Sequence, residues 1–87
     1  MSLPILYIKQ GCPWCVDALE YFKQINLKLE VMDVIQNPSK MQDLMECSGQ
    51  SKTPTLKNNG FVVKDFDIEE FKQAMLENPA EAKKLGL

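Results

Sequence analysis

The chain has no histidine and no arginine among its 87 residues. Without histidine, the usual general base at neutral pH and the commonest metal ligand are missing. Ser–His–Asp and Cys–His nucleophile systems are therefore excluded. Without arginine, no side chain clamps a phosphate or carboxylate with a two-pronged fork. Ten lysines face twelve Asp and Glu, giving a net charge of −2 and a pI near 5.0. No basic stripe is available to neutralise a run of phosphates, so no nucleic-acid partner is expected. No apolar run approaches the roughly 18 residues of a spanning helix, so no membrane partner is expected. The segment Leu3 to Ile8 is too short for the apolar core of a secretory signal and is broken by Pro4. Cysteines are scarce too: Cys12, Cys15 and Cys47. A structural zinc site within one chain takes about four Cys or His ligands, and a secreted disulfide scaffold takes a denser, even set. No metal is expected, and the expected compartment is the cytoplasm, where thiols stay mostly reduced.

What remains is ordinary globular material, 45% apolar and 25% charged. One domain over residues 1–87 is expected, with a small core and a site on its rim. Leu3 to Lys9 is nearly continuously apolar, which predicts a strand buried on both faces. Gly11-Cys12-Pro13 predicts a strand-to-helix turn with Pro13 at the first helical position. Cys15, Ala18, Leu19 and Phe22 follow at helical spacing, so a helix is predicted over Pro13 to Gln24. Leu27 to Val34 predicts a second strand, and Asn37-Pro38 opens a second helix carrying Met41, Leu44 and Met45. This strand–helix–strand unit implies parallel pairing. After the loop Ser48 to Lys52, Thr53 to Lys57 predicts a strand. Asn58-Asn59-Gly60 turns it into an antiparallel return over Phe61 to Lys64. Asp67, with Glu70 three residues on, has the spacing of a capping box. Ile68, Phe71 and Met75 form the buried stripe of the helix it starts. Asn78-Pro79 opens a last short helix. The predicted class is α/β: a four-stranded mixed sheet in the order β-α-β-α-β-β-α, flanked by three to four helices.

The chemistry lies in Cys12-Pro13-Trp14-Cys15, between a buried strand and a helix. A helix N-terminus favours an anion, so it favours the thiolate of Cys12. Three residues of helix bring the second thiol to the same side. Lys9, just upstream, adds positive charge near the sulfur. A stabilised thiolate raises the reactive fraction and makes Cys12 the better leaving group in exchange. Cys12 then attacks a disulfide and Cys15 resolves the mixed disulfide. Other readings of the pair are half of a zinc site shared by two chains, or inert apolar side chains. In a βαβ setting, C-x-x-C points to redox chemistry.

With these residues in place, the sequence resembles a glutaredoxin, within the thioredoxin-fold superfamily. The resemblance spans essentially the whole chain. It rests on Lys9 to Cys15, on Thr53-Pro54 and on Gly60 through Asp67. It implies a thioredoxin-like fold, with Cys12 as nucleophile, Cys15 as resolving thiol and Pro54 as a cis-proline facing the site. It implies that the backbone of Thr53 pairs with the cysteine portion of glutathione like an added strand. Asp67 is implied at the helix tip that takes the far end of the tripeptide, and Trp14 beside the sulfur. Lys52 offers a point charge for a carboxylate. Implied partners are glutathione as co-substrate, or a reductase, together with disulfide-containing proteins. A monomer with no tightly bound cofactor is expected.

The chain departs from the family pattern at Lys64-Asp65, where glutaredoxins usually carry Gly-Gly. Asp65 adds negative charge where the carboxylates of glutathione would arrive. This departure favours one alternative, an electron donor recycled by a thioredoxin-reductase-type enzyme; the family resemblance implies another, a carrier of an iron–sulfur cluster. Against the carrier, oxidation of Cys12 with Cys15 competes with cluster binding. Cys47 reads as a small apolar filler, with a regulatory third thiol as the alternative.

Overall fold

The structure, a computed structural model, describes residues 3–87; Met1 and Ser2, which begin the expected domain, lie outside the described residues. In chain order the elements are β1 (Ile5–Ile8), α1 (Pro13–Gln24), β2 (Glu30–Asp33), α2 (Pro38–Ser48), β3 (Thr55–Asn58), β4 (Phe61–Val63), α3 (Ile68–Glu77) and α4 (Pro79–Lys84). The strands form one sheet in the order β2-β1-β3-β4. β1 pairs parallel to β2, with Leu6 opposite Val31, and antiparallel to β3, with Leu6 opposite Leu56. β3 and β4 are antiparallel and joined at Asn59-Gly60. Asn59 takes the left-handed φ of +56° that Asn tolerates.

Alternation along the central strand explains its continuous apolar sequence. Leu6 joins a core with Ala18, Phe22, Leu56, Phe66 and Phe71. Its neighbour Tyr7 joins a smaller core with Val34 and Leu44. Successive side chains of a strand point to opposite faces, so β1 is covered on both. The larger core is stapled by aromatic rings. Phe22 and Phe71 meet edge to face at 4.9 Å, and Phe66 lies 5.4 Å from Phe71.

The predicted strand boundaries shift, with β4 ending at Val63 rather than Lys64. β2 begins at Glu30, not Leu27: Leu27 and Leu29 cover the larger core from the preceding segment. On that edge strand Val31 is exposed. β3 begins at Thr55, not Thr53, where the ladder with β1 starts; the Thr53–Pro54 peptide bond ahead of it is cis. β1 is trimmed to Ile5–Ile8. The capping box stands where predicted: the Asp67 carboxylate accepts the Glu70 N–H at 2.8 Å, and Glu70 accepts the Asp67 N–H at 3.0 Å.

Candidate active site

Gly11, at φ +81°, turns the chain from β1 into α1 and leaves Cys12 as the N-cap. Pro13 takes the first helical position, where no N–H is needed. The Cys12 sulfur accepts the backbone N–H of Cys15 at 3.2 Å. It thus satisfies a free donor at the helix start, which is also where a thiolate is best held.

The two thiols sit in different surroundings. Cys12 is half-buried, whereas Cys15 is 2% exposed. Burial pushes the Cys15 thiol up to about 11, and the hydrogen bond with Cys12 adds to the rise. The Thr53 side chain and the backbone of Lys9 pull the other way and are outweighed. Cys15 is therefore held as a thiol at neutral pH, beneath the more accessible sulfur.

The opposite wall is the loop before β3. The Thr53 hydroxyl lies 3.7 Å from the Cys12 sulfur as a donor, and the Thr53 carbonyl lies 3.9 Å away as an acceptor of the S–H. Pro54 is buried, and its carbonyl accepts the N–H of Phe66 at 3.2 Å. Thr55, fully buried, donates its hydroxyl to Lys52 O at 2.9 Å and accepts the N–H of Asp65 at 3.3 Å. The turn carrying Asp65 is thereby held against the loop carrying Thr53. A hydroxyl beside Leu56 at the start of β3 is the sequence signal that marks Thr55.

Beside Trp14, which is 59% exposed, lies a shallow depression of about 330 Å³ lined by Asp65, Phe66, Asp67 and Glu70. Of the residues named from sequence, Cys12, Cys15 and Thr53 meet at one point, and Pro54 follows Thr53 across a cis peptide bond. Trp14 and Asp67 border the adjacent depression. Lys52 is not among its lining residues: its ammonium pairs with Asp65 at 3.9 Å, both side chains largely in solvent. Lys9 follows β1, half-buried, and touches the site through its backbone. Cys47 is away from this point. It packs against the Tyr7–Val34–Leu44 core and donates to Leu44 O at 3.5 Å. Among the described residues, no cluster of three ligating side chains is placed to hold a metal. No helix there is long and apolar enough to cross a membrane.

A four-stranded mixed sheet with a C-x-x-C at the tip of its first helix, opposite a cis-proline loop, defines a thioredoxin-like protein. The glutaredoxin family profile matches residues 5–63, and the chain belongs to the glutaredoxin family. The match ends just before Lys64-Asp65. The thioredoxin-like protein BC3987 superposes with a TM-score of 0.73 at 31% identity, over 80% of this chain and 96% of that one. The glutaredoxin of Archaeoglobus fulgidus gives a TM-score of 0.72 at 20% identity, over 84% and 85% of the two chains, a likeness of fold. A glutaredoxin-like 8.6 kDa protein of the rubredoxin operon of Clostridium pasteurianum is 26% identical over 65 residues, covering 75% of this chain and 87% of the relative.

Proposed function

We propose that this protein is a dithiol thiol–disulfide oxidoreductase that reduces protein disulfides or glutathione mixed disulfides. The observation that supports this most is the unequal pair of thiols, with half-buried Cys12 at the helix tip and buried Cys15 behind it. The Cys12 thiolate attacks one sulfur of a substrate disulfide. A Cys12–substrate disulfide forms, and the other half leaves as a thiolate that takes up a proton. Cys15 then loses its proton and attacks the Cys12 sulfur. The Cys12–Cys15 disulfide forms and the second substrate thiol leaves. The substrate has gained two electrons from the protein and two protons, one from Cys15 and one from water. Thr53, at hydrogen-bonding distance from the Cys12 sulfur, positions the attacked disulfide, and its backbone offers an edge for an extended segment.

An external thiol or a reductase must return the electrons. Glutathione is one source: a buckwheat glutaredoxin of the same fold has been solved in complex with it, at TM-score 0.70 and 14% identity. An NADPH-linked reductase of the thioredoxin-reductase type is the other, favoured by the carboxylate of Asp65 at the depression. A reducing compartment such as the cytoplasm suits either cycle.

The test is a recycling assay on a small mixed disulfide with NADPH. One arm supplies glutathione and glutathione reductase; the other supplies thioredoxin reductase alone. Turnover that is lost in Cys12→Ser is expected. The arm that turns over names the electron source, and turnover in neither arm sinks the oxidoreductase reading.

A further inference from the structure

The depression beside the Cys12 tip has a one-sided electrostatic character. Its walls are an exposed indole and three carboxylates, Asp65, Asp67 and Glu70. No cation lines it. The nearby lysines already have partners: Lys72, two residues from Glu70, lies over the Tyr21 ring at 5.5 Å. Lys52 meets Asp65 at the rim, and the Lys64 ammonium reaches Ser48 O at 3.5 Å. At the start of α3 the capping box ties two N–H groups, those of Asp67 and Glu70, to side chains.

We propose that this cleft selects disulfides whose flanking residues are lysine or arginine, within a protein segment, and disfavours anionic thiols such as glutathione. The inference rests on the oxidoreductase reading of Cys12 and adds a substrate class to it. A cation seated in the depression meets the Trp14 indole and the carboxylates together, so aromatic and ionic attraction act in one place. The segment's disulfide then lies along Thr53 and over the Cys12 sulfur. Glutathione, net negative at neutral pH, meets the same field with the opposite sign.

The experiment is single-turnover oxidation of the pre-reduced protein by three disulfide-linked peptides. They are identical except for flanking Lys, Ser or Glu pairs. Each rate is divided by the rate of the same peptide with dithiothreitol, which removes intrinsic reactivity. The Lys peptide is expected to react about tenfold faster than the Glu peptide at low salt, as two partly exposed ion pairs allow. That ratio should shrink several-fold at about 0.5 M salt, where the Debye length falls to a few ångströms. The variant Asp65→Asn/Glu70→Gln tests the residues: Asn tolerates the φ of +51° at 65, and Gln preserves the capping box. Its Lys-to-Glu ratio should fall to about threefold or less. A wild-type ratio near one, or one insensitive to salt, overturns the proposal while leaving the oxidoreductase reading intact. An unchanged ratio in the folded variant also overturns it. Failure of all three peptides to react overturns both.

Discussion

The backbone N–H of Asp65 donates to the hydroxyl of Thr55 across 3.3 Å, ten residues back in the chain. The same hydroxyl donates to Lys52 O. One buried side chain thus joins the loop leading to Thr53 and the turn bearing Asp65, which sits at the depression. Asp65 holds a left-handed φ of +51°, a conformation that costs a non-glycine residue free energy unless its neighbours impose it. The Thr55 hydroxyl and the adjacent Phe66 N–H bond to Pro54 O are the contacts that impose it.

Thr55→Val should therefore cost about 1–3 kcal/mol, because the Asp65 N–H and Lys52 O lose their partner within a partly buried seam. Thr55→Ser, which keeps the hydroxyl, should cost less than about 1 kcal/mol. Urea titration of both variants checks this. Equal losses in Val and Ser would mean that the methyl packing, not the hydroxyl, holds the two loops.

Phe71→Ala should cost about 3–5 kcal/mol, the range for removing a buried ring without full collapse of the cavity. Phe71 is fully buried and touches the rings of Tyr21, Phe22 and Phe66. The loss is a large share of the ~5–15 kcal/mol that a small domain has in total. Thermal melting should show it. Because Phe66 anchors the turn before α3 in this cluster, the residual folded fraction should also show faster amide exchange at Asp65 and Phe66.

Strong local signals made much of this fold readable from sequence. The helix start at Cys12-Pro13 and the Asp67–Glu70 capping box depend on residues a few positions apart, and both stand where the spacing puts them. The buried run Ile5–Ile8 has one physical solution, a strand covered on both faces. What was not readable depends on contacts between distant segments. The early end of pairing before Thr55, the exposed Val31 and the latch of Thr55 onto Asp65 are such cases. The sequence marks Lys52 as a point charge for a carboxylate, but only the fold shows that Asp65 stands 3.9 Å from it. At the site, the two thiols followed from spacing alone, whereas their unequal burial needed the packed core.

Alkaline pH should weaken the fold through two buried acids. Burial pushes the Tyr7 hydroxyl up to about 12, with negative charge on Cys47 and Asp43 adding to the rise. Burial likewise pushes Cys15 up to about 11. In the unfolded chain these groups release protons near their ordinary values of 10.0 and 9.0. Between those values and the native ones the native state binds more protons, so stability falls as pH rises. This contribution is fully present below about pH 9 and is lost through about pH 12. The melting temperature should hold steady from pH 7 to 8.5 and then decline, and Tyr7→Phe should flatten the upper part of that decline. A flat profile to pH 11 in the wild type would refute the link.

Resolution of the mixed disulfide should be governed by the proton on Cys15. With its thiol held up to about 11, only roughly one molecule in ten thousand carries the Cys15 thiolate at pH 7. Once Cys12 is tied to substrate, its hydrogen bond to Cys15 is lost and part of the upward push relaxes. Burial, the largest cause, remains. The rate at which a preformed Cys12–peptide disulfide collapses to the Cys12–Cys15 disulfide should thus climb about tenfold per pH unit between pH 6 and 9. Released peptide thiol, followed by stopped flow, measures it. Cys15→Ser should leave the mixed disulfide standing across the same range, which shows that the release is intramolecular. A wild-type rate independent of pH would mean that a neighbouring group takes the proton as Cys15 attacks.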